Sequence, residues 1–145
     1  MTVTKPARAL LACAGAVILA SGVTACGGGG GDESAVKDRV KTTFSGFADK
    51  DSGKICNSLS ERYKKRIAQQ PLGKGKQSCE KSIGLVLTLA GNALKDVGNT
   101  KVGKVSVDGD KATADISYKS GKKNKVALVK EGGDWRVDDF SLQKR

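Results

Sequence analysis

Hydrophobic and polar positions along this chain change rhythm partway. Val36, Val40, Phe44 and Phe47 recur at helical spacing, with Lys37, Asp38, Arg39 and Lys41 between them. Steps of three and four residues line one face of a helix and leave a polar back. Asp32, Glu33 and Ser34 supply a cap and first-turn acids. A helix is therefore predicted from about Glu33 to Ala48. After the charged turn from Asp49 to Lys54, the apolar patch Ile55, Cys56 and Leu59 is enough for one or two helical turns. Ser60 caps a further helix, in which Tyr63 and Ile67 stand four apart above a basic outer face. Pro71 to Lys76, with Gly73 and Gly75, reads as a loop. Gln77 to Ala90 is the most apolar stretch of this half. Cys79, Ile83, Val86, Leu87 and Ala90 form a stripe that Leu85 and Leu89 widen, so it is predicted to be the central buried helix.

Beyond Asn99 the period drops to two. Val102, Val105 and Val107 lie in a strand that Gly103 can bulge. Asp108-Gly109 signals a hairpin turn. Ala112, Ala114, Ile116 and Tyr118 then alternate with Thr113, Asp115 and Ser117. A second turn falls at Ser120-Gly121, an apolar run at Val126 to Val129, and a third turn at Gly132-Gly133. Trp135 and Val137 alternate with Arg136 and Asp138, and Phe140 follows. About three helices followed by four strands on tight turns predict an α+β domain, an antiparallel meander with helices on one face.

The N-terminus has a different character. Lys5 and Arg8 precede an unbroken small and apolar run from Ala9 to Ala20, and Ser21-Gly22 breaks it. A positive flank, about a dozen apolar residues and a small-residue end fit a secretory signal, whereas a spanning helix needs about 20 apolar residues. Val23-Thr24-Ala25-Cys26 resembles the lipobox of bacterial lipoproteins. The resemblance implies cleavage after Ala25 and diacylglyceryl transfer to the Cys26 thiol. Two or more palmitate-type chains hold a protein firmly on a bilayer, where one does not. The expected location is the extracytoplasmic face of the cell membrane. Gly27 to Gly31 would act as a flexible tether.

With that reading, Cys13 leaves with the signal and Cys26 takes lipid, so Cys56 and Cys79 remain. An even remainder in an exported protein implies a disulfide. Metal ligation by these two thiols is the competing reading, and a chain with no histidine gives it little support. No metal or cofactor is expected.

Net charge is +11 over the 145 residues and +9 once Lys5 and Arg8 are removed. Arg62 to Arg66 and Lys119 to Lys125 are the basic runs. They suit anionic headgroups or acidic envelope polymers, or simply a solvated lysine-rich surface. Nucleic acid is not an expected partner. One Trp, two Tyr and three Phe offer little base stacking, and no RNP or zinc-finger pattern is present.

Two hairpins carry a further likeness. Val105-Ser106-Val107-Asp108-Gly109-Asp110-Lys111-Ala112-Thr113-Ala114-Asp115-Ile116 resembles a hairpin of the NTF2-like superfamily. Val126 to Asp138, with Gly132-Gly133-Asp134-Trp135 at its turn, resembles the last hairpin of that fold. The helical half is similar in order and in its two cysteines. The resemblance implies a cone, a curved four-stranded antiparallel sheet wrapped over about three N-terminal helices, often with a pocket inside. The chain then divides into a signal peptide over 1–25, lipidated cysteine and tether over 26–32, the NTF2-like domain over 33–142, and a basic tail over 143–145.

Members of that superfamily include isomerases and dehydratases, and also modules that bind ligands or dimerise through the sheet face. The enzymes need a tuned acid or base facing substrate. Here Asp115 falls on the strand face opposite Ala112, Ala114 and Ile116, and Tyr63 and Tyr118 sit within apolar stripes. The expected function is an envelope binding or interaction module. The alternatives are an isomerase- or dehydratase-type enzyme, or a structural protein held to acidic polymers. Its expected pocket for a small apolar ligand is lined by Phe44, Phe47, Tyr63, Ile83, Leu87, Ala112, Ala114, Tyr118 and Trp135. Trp135 has two readings, a pocket wall or a filler between the last strand and the helices. The space itself has two as well, open or filled by Phe44, Phe47, Leu85 and Leu89.

Overall fold

A computed structural model describes residues 29–70, 77–94 and 96–141. The expected signal peptide, Cys26 and the stretches expected to be a loop over 71–76 and a tail over 143–145 lie outside these residues. Helices come first: α1 (Gly29–Asp49), α2 (Ser52–Ser58), α3 (Glu61–Ala68) and α4 (Cys79–Ala90), then a 3-10 turn over Gly91–Leu94. Strands β1 (Lys101–Asp108), β2 (Lys111–Ser117), β3 (Lys123–Glu131) and β4 (Asp134–Ser141) follow. They form one open antiparallel sheet in the order β1-β2-β3-β4. The α+β meander expected from the periodicity is present.

The helical half departs from expectation in three ways. There are four α-helices among the described residues, where about three were expected, because the one or two turns expected around Ile55 to Leu59 form a seven-residue helix of their own. Secondly, α1 starts at Gly29, so part of the expected glycine tether is helical. Glycine is a poor helix former, but the first turn is held from outside. The Asp32 carboxylate accepts hydrogen bonds from Lys130 Nζ at 2.9 Å and Trp135 Nε1 at 3.1 Å. An acid in the first turn also complements the helix dipole.

The third departure concerns which helix is central. It is α1, whose Val36, Val40 and Phe44 are buried and which packs on β1, β2 and β4. By contrast α4 packs chiefly on α2 and α3, away from the sheet. Only Ser82, Ile83 and Leu87 of α4 are buried, and Leu89 is 74% exposed. Apolar content alone ranked α4 first. What ranks the helices in space is the sheet, and the sheet faces α1. Gly46 allows a close approach on α1's other side: a Cβ there would stand 2.8 Å from Ile55 Cγ1.

In the sheet, Val105, Ala112, Ala114, Ile116, Val126, Leu128, Trp135 and Val137 are buried on the helix face. The expected bulge near Gly103 appears as a register shift between Val102 and Val105. A second shift, between Ala127 and Leu128 on β3, was not foreseen. The outer edge of β4 is covered where Leu59 bridges Val137 and Ser60 N–H donates to the Val137 carbonyl at 2.8 Å. A bond of this kind blunts an edge that would otherwise offer unpaired groups.

The Cys56–Cys79 disulfide is formed, with S–S 2.06 Å and Cα–Cα 6.1 Å. It ties α2 to the first residue of α4. No helix among the described residues is long and apolar enough to cross a membrane.

Candidate functional site

Residues from four elements converge where α1 ends. Phe44 and Phe47, three apart on α1, face the sheet's far end. Tyr118 follows β2, Tyr63 comes from α3, and Phe140 comes from β4. Phe140 stands at the centre, with ring centroids 5.9 Å from Phe44, 6.2 Å from Phe47 and 5.7 Å from Tyr63. Phe44 meets Tyr118 edge-on at 6.3 Å. Tilted and T-shaped pairs in this range are favourable beyond their burial.

The second bulge makes this possible. Trp135 and Val137 point inward, so strict alternation would put Asp139 inward and Phe140 out. The extra residue reverses this: Leu128 pairs with Val137, Ala127 with Asp139 and Val126 with Phe140. Asp138 is the residue set aside. The expected pocket did not include Phe140. Two adjacent acids in an otherwise alternating strand were the signal, since an inward carboxylate would be costly.

Two clefts flank the cluster. One, of about 200 Å³, is lined by Phe44, Phe47, Leu94, Val97, Ile116, Tyr118, Asn124, Lys125 and Phe140. The other, of about 210 Å³, is lined by Phe47, Ile55, Leu59, Tyr63, Ile67, Gln70, Ile83, Val86 and Phe140. No carboxylate lines either among the described residues. Tyr118 Oη accepts from Asn124 Nδ2 at 3.4 Å. The Arg66 guanidinium lies 4.4 Å from the Tyr63 ring centroid. Burial pushes the Tyr63 phenol above its usual value, with Arg66 opposing it.

The expected pocket residues thus separate. Phe44, Phe47, Tyr63, Ile83 and Tyr118 line these clefts. Leu87 and Ala114 are buried in the core and line neither. Ala112 is buried too and borders a groove of about 620 Å³ among outward residues such as Ser106, Thr113 and Ala127. Trp135 is at the other end of the sheet. It is 3% exposed, bonded to Asp32, and Lys130 Nζ lies 5.5 Å from its ring centroid. It fills the seam between strand and helix. Its partners hold the Asp32 carboxyl below the usual range, Lys130 more than Trp135.

Asp138 and Asp139 bond to α3 and its cap. Asp138 accepts from Ser60 Oγ at 2.6 Å and from the Arg62 guanidinium at Nε, 3.0 Å away, and at Nη2. Ser60 Oγ in turn caps α3 by accepting from Tyr63 N–H at 3.0 Å. The Arg62 guanidinium, with help from Ser60, holds the Asp138 carboxyl below its ordinary value. Arg66 pairs with Asp139 at 2.9 Å. These bonds lock α3 onto β4 and so fix Tyr63 against Phe140. Asp115 faces away from the helices and pairs with Lys125 at 3.8 Å, as the alternation of β2 requires.

Comparison with models of protein families, with curated proteins and with solved structures finds no match to this chain.

Proposed function

We propose that this chain is a lipid-anchored binding module of the extracytoplasmic membrane face, built on an NTF2-like cone, which takes a small apolar ligand in its aromatic clefts. One observation carries the reading. The chain has six aromatic residues, and five of them meet in one cluster at the open end of the sheet. A core filler would be spread more evenly through the domain. Each cleft is smaller than the roughly 300–1,000 Å³ of a drug-sized site. The ligand is therefore a single ring or a short acyl chain. Polar atoms at the rim, Tyr118 Oη and Asn124 Nδ2, would orient its polar end.

The probes are octanoate and indole, added to the full chain in detergent during thermal melts. At a hundredfold excess over Kd a bound probe stabilises by about 2.7 kcal/mol. Leu94→Trp, which fills the first cleft from its helical wall, should remove the response to a probe bound there. Trp135 fluorescence should not change on binding, because that ring sits against Asp32 at the opposite end. No thermal shift with either probe, or a shift that Leu94→Trp and Val86→Trp both leave intact, contradicts the reading.

The anchor has its own test. Cys26→Ser should leave the protein unprocessed or soluble with changed gel mobility. A variant processed and membrane-bound like its parent refutes the lipid anchor.

A further inference from the structure

The two basic runs of the sequence meet different fates. Arg62, Lys64 and Arg66 are paired with Asp138, Glu61 and Asp139. In the run from Lys119 to Lys125, Lys119, Lys122 and Lys123 have no ion-pair partner among the described residues. This run forms the turn between β2 and β3 and the first residues of β3. The turn is closed by Tyr118 N–H to the Lys122 carbonyl and Gly121 N–H to the Tyr118 carbonyl, both 2.9 Å. Register adds β1 to the same end: Lys101 lies opposite Ser117, and Ser117 opposite Lys123. Lys104, from the bulge of β1, completes the group.

All six of Lys101, Lys104, Lys119, Lys122, Lys123 and Lys125 are exposed. Asp115 reaches Lys125 at 3.8 Å. The other five have no ion-pair partner among the described residues. Two grooves, of about 330 and 590 Å³, pass between these side chains and share Ser117 and Lys123. At the other end of the sheet the sign reverses, with Asp108, Asp110 and Glu131 around the hairpin turns. The start of α1 is at that acidic end, since Asp32 is bonded to Lys130 and Trp135. Strands of seven to nine residues put roughly 25 Å between the two ends.

We propose that the lysine end of the sheet is a docking site for a linear polyanion of the phosphodiester-linked class. Lys101 and Lys123 flank Ser117 across two strand spacings, about 10 Å, and alternate residues along a strand repeat at about 7 Å. A chain with a phosphate every few ångströms can meet several of these cations at once, which a single small anion cannot. Ammonium groups act on phosphate as point charges and tolerate a shifting register. Adjoining open grooves suit a polymer that runs through. The occupant is a polymer and not the protein's own membrane, because the site lies at the end away from the chain leading back to Cys26. That last step rests on the lipid-anchor reading. The polyanion site does not; it borders the first aromatic cleft through Asn124 and Lys125, whereas Lys101 and Lys123 line neither cleft.

The test is titration of the full chain in detergent with linear poly(glycerol phosphate) of defined length, a phosphodiester-linked polyanion. Affinity should fall as salt rises. Lys101→Gln with Lys123→Gln should weaken binding at least tenfold and reduce the slope of log K against log salt by about 2. Lys41→Gln with Lys65→Gln removes the same charge elsewhere and should change affinity less than twofold. Equal losses in the two double variants would reduce the effect to net charge and overturn the proposal, as would no binding at low salt. Phosphatidylglycerol vesicles added as competitor should not displace the polymer. Displacement that disappears in the Lys101/Lys123 variant would assign the end to a membrane surface instead. Failure of this titration leaves the thermal-shift result for octanoate and indole untouched.

Discussion

Replacing Cys56 and Cys79 together by serine should lower the unfolding free energy by about 3 kcal/mol. The bridge spans a sequence separation of 23 residues, and closing a loop of that size removes about that much denatured-state freedom. Against a typical ~5–15 kcal/mol for a domain, this is a large share. The loss should also be uneven. Since α4 packs chiefly on α2 and α3, it is held mainly by Ile83, Leu87 and the bridge. Hydrogen exchange should therefore quicken in α4 well before it does in β2 or β3. Urea unfolding followed at Trp135 reads the global term, because that ring lies in the strand–α1 seam and not beside the bridge. A stability change below about 1 kcal/mol, with α4 exchange as in the parent, would mean that α4 docks without its staple.

How far the chain could be read in advance depends on which interactions decide each feature. The strands were legible because alternation and Gly-containing turns are local. Val105, Ala112, Ala114 and Ile116 fell on the buried face for that reason. The bridge was legible from cysteine arithmetic once Cys26 was set aside. The rank of the helices was not, since α4 is more apolar than α1 and yet packs away from the sheet. Packing geometry, set by residues distant in sequence, overrode composition. The start of α1 was missed likewise, because its anchor is Asp32 bonded to Lys130 and Trp135, about a hundred positions on. The site suffered most from one residue. Asp138 sits in a bulge, and a single inserted residue moves everything after it to the other face. The charge runs looked alike in sequence. Only the fold distinguishes Arg62 and Arg66, paired to β4, from the lysines of the β2–β3 turn.

Phe140→Ala should be the most costly single change in the site. Removal of a packed Phe side chain costs about 3–5 kcal/mol when the space does not collapse. Phe140 is half-buried and not fully enclosed, so about 3 kcal/mol is expected by the same scale. Its ring is a wall of both clefts, and its loss opens them into one apolar space beside Phe44, Phe47 and Tyr63. An apolar cavity that water fills poorly can accept an apolar guest. Indole or toluene should therefore raise the melting temperature of Phe140→Ala by several degrees more than that of the parent. Phe140→Leu, which keeps most of the volume, should lose less than half as much stability and gain little from the guest. The bulge predicts a further contrast. Deleting Asp138 would restore strict alternation and turn Phe140 to the outer face, breaking the Ser60 and Arg62 bonds as well. That variant should lose more stability than Phe140→Ala and respond to no guest. A loss below 1 kcal/mol for Phe140→Ala, or a guest response equal to the parent's, would show that the ring does not join the two clefts.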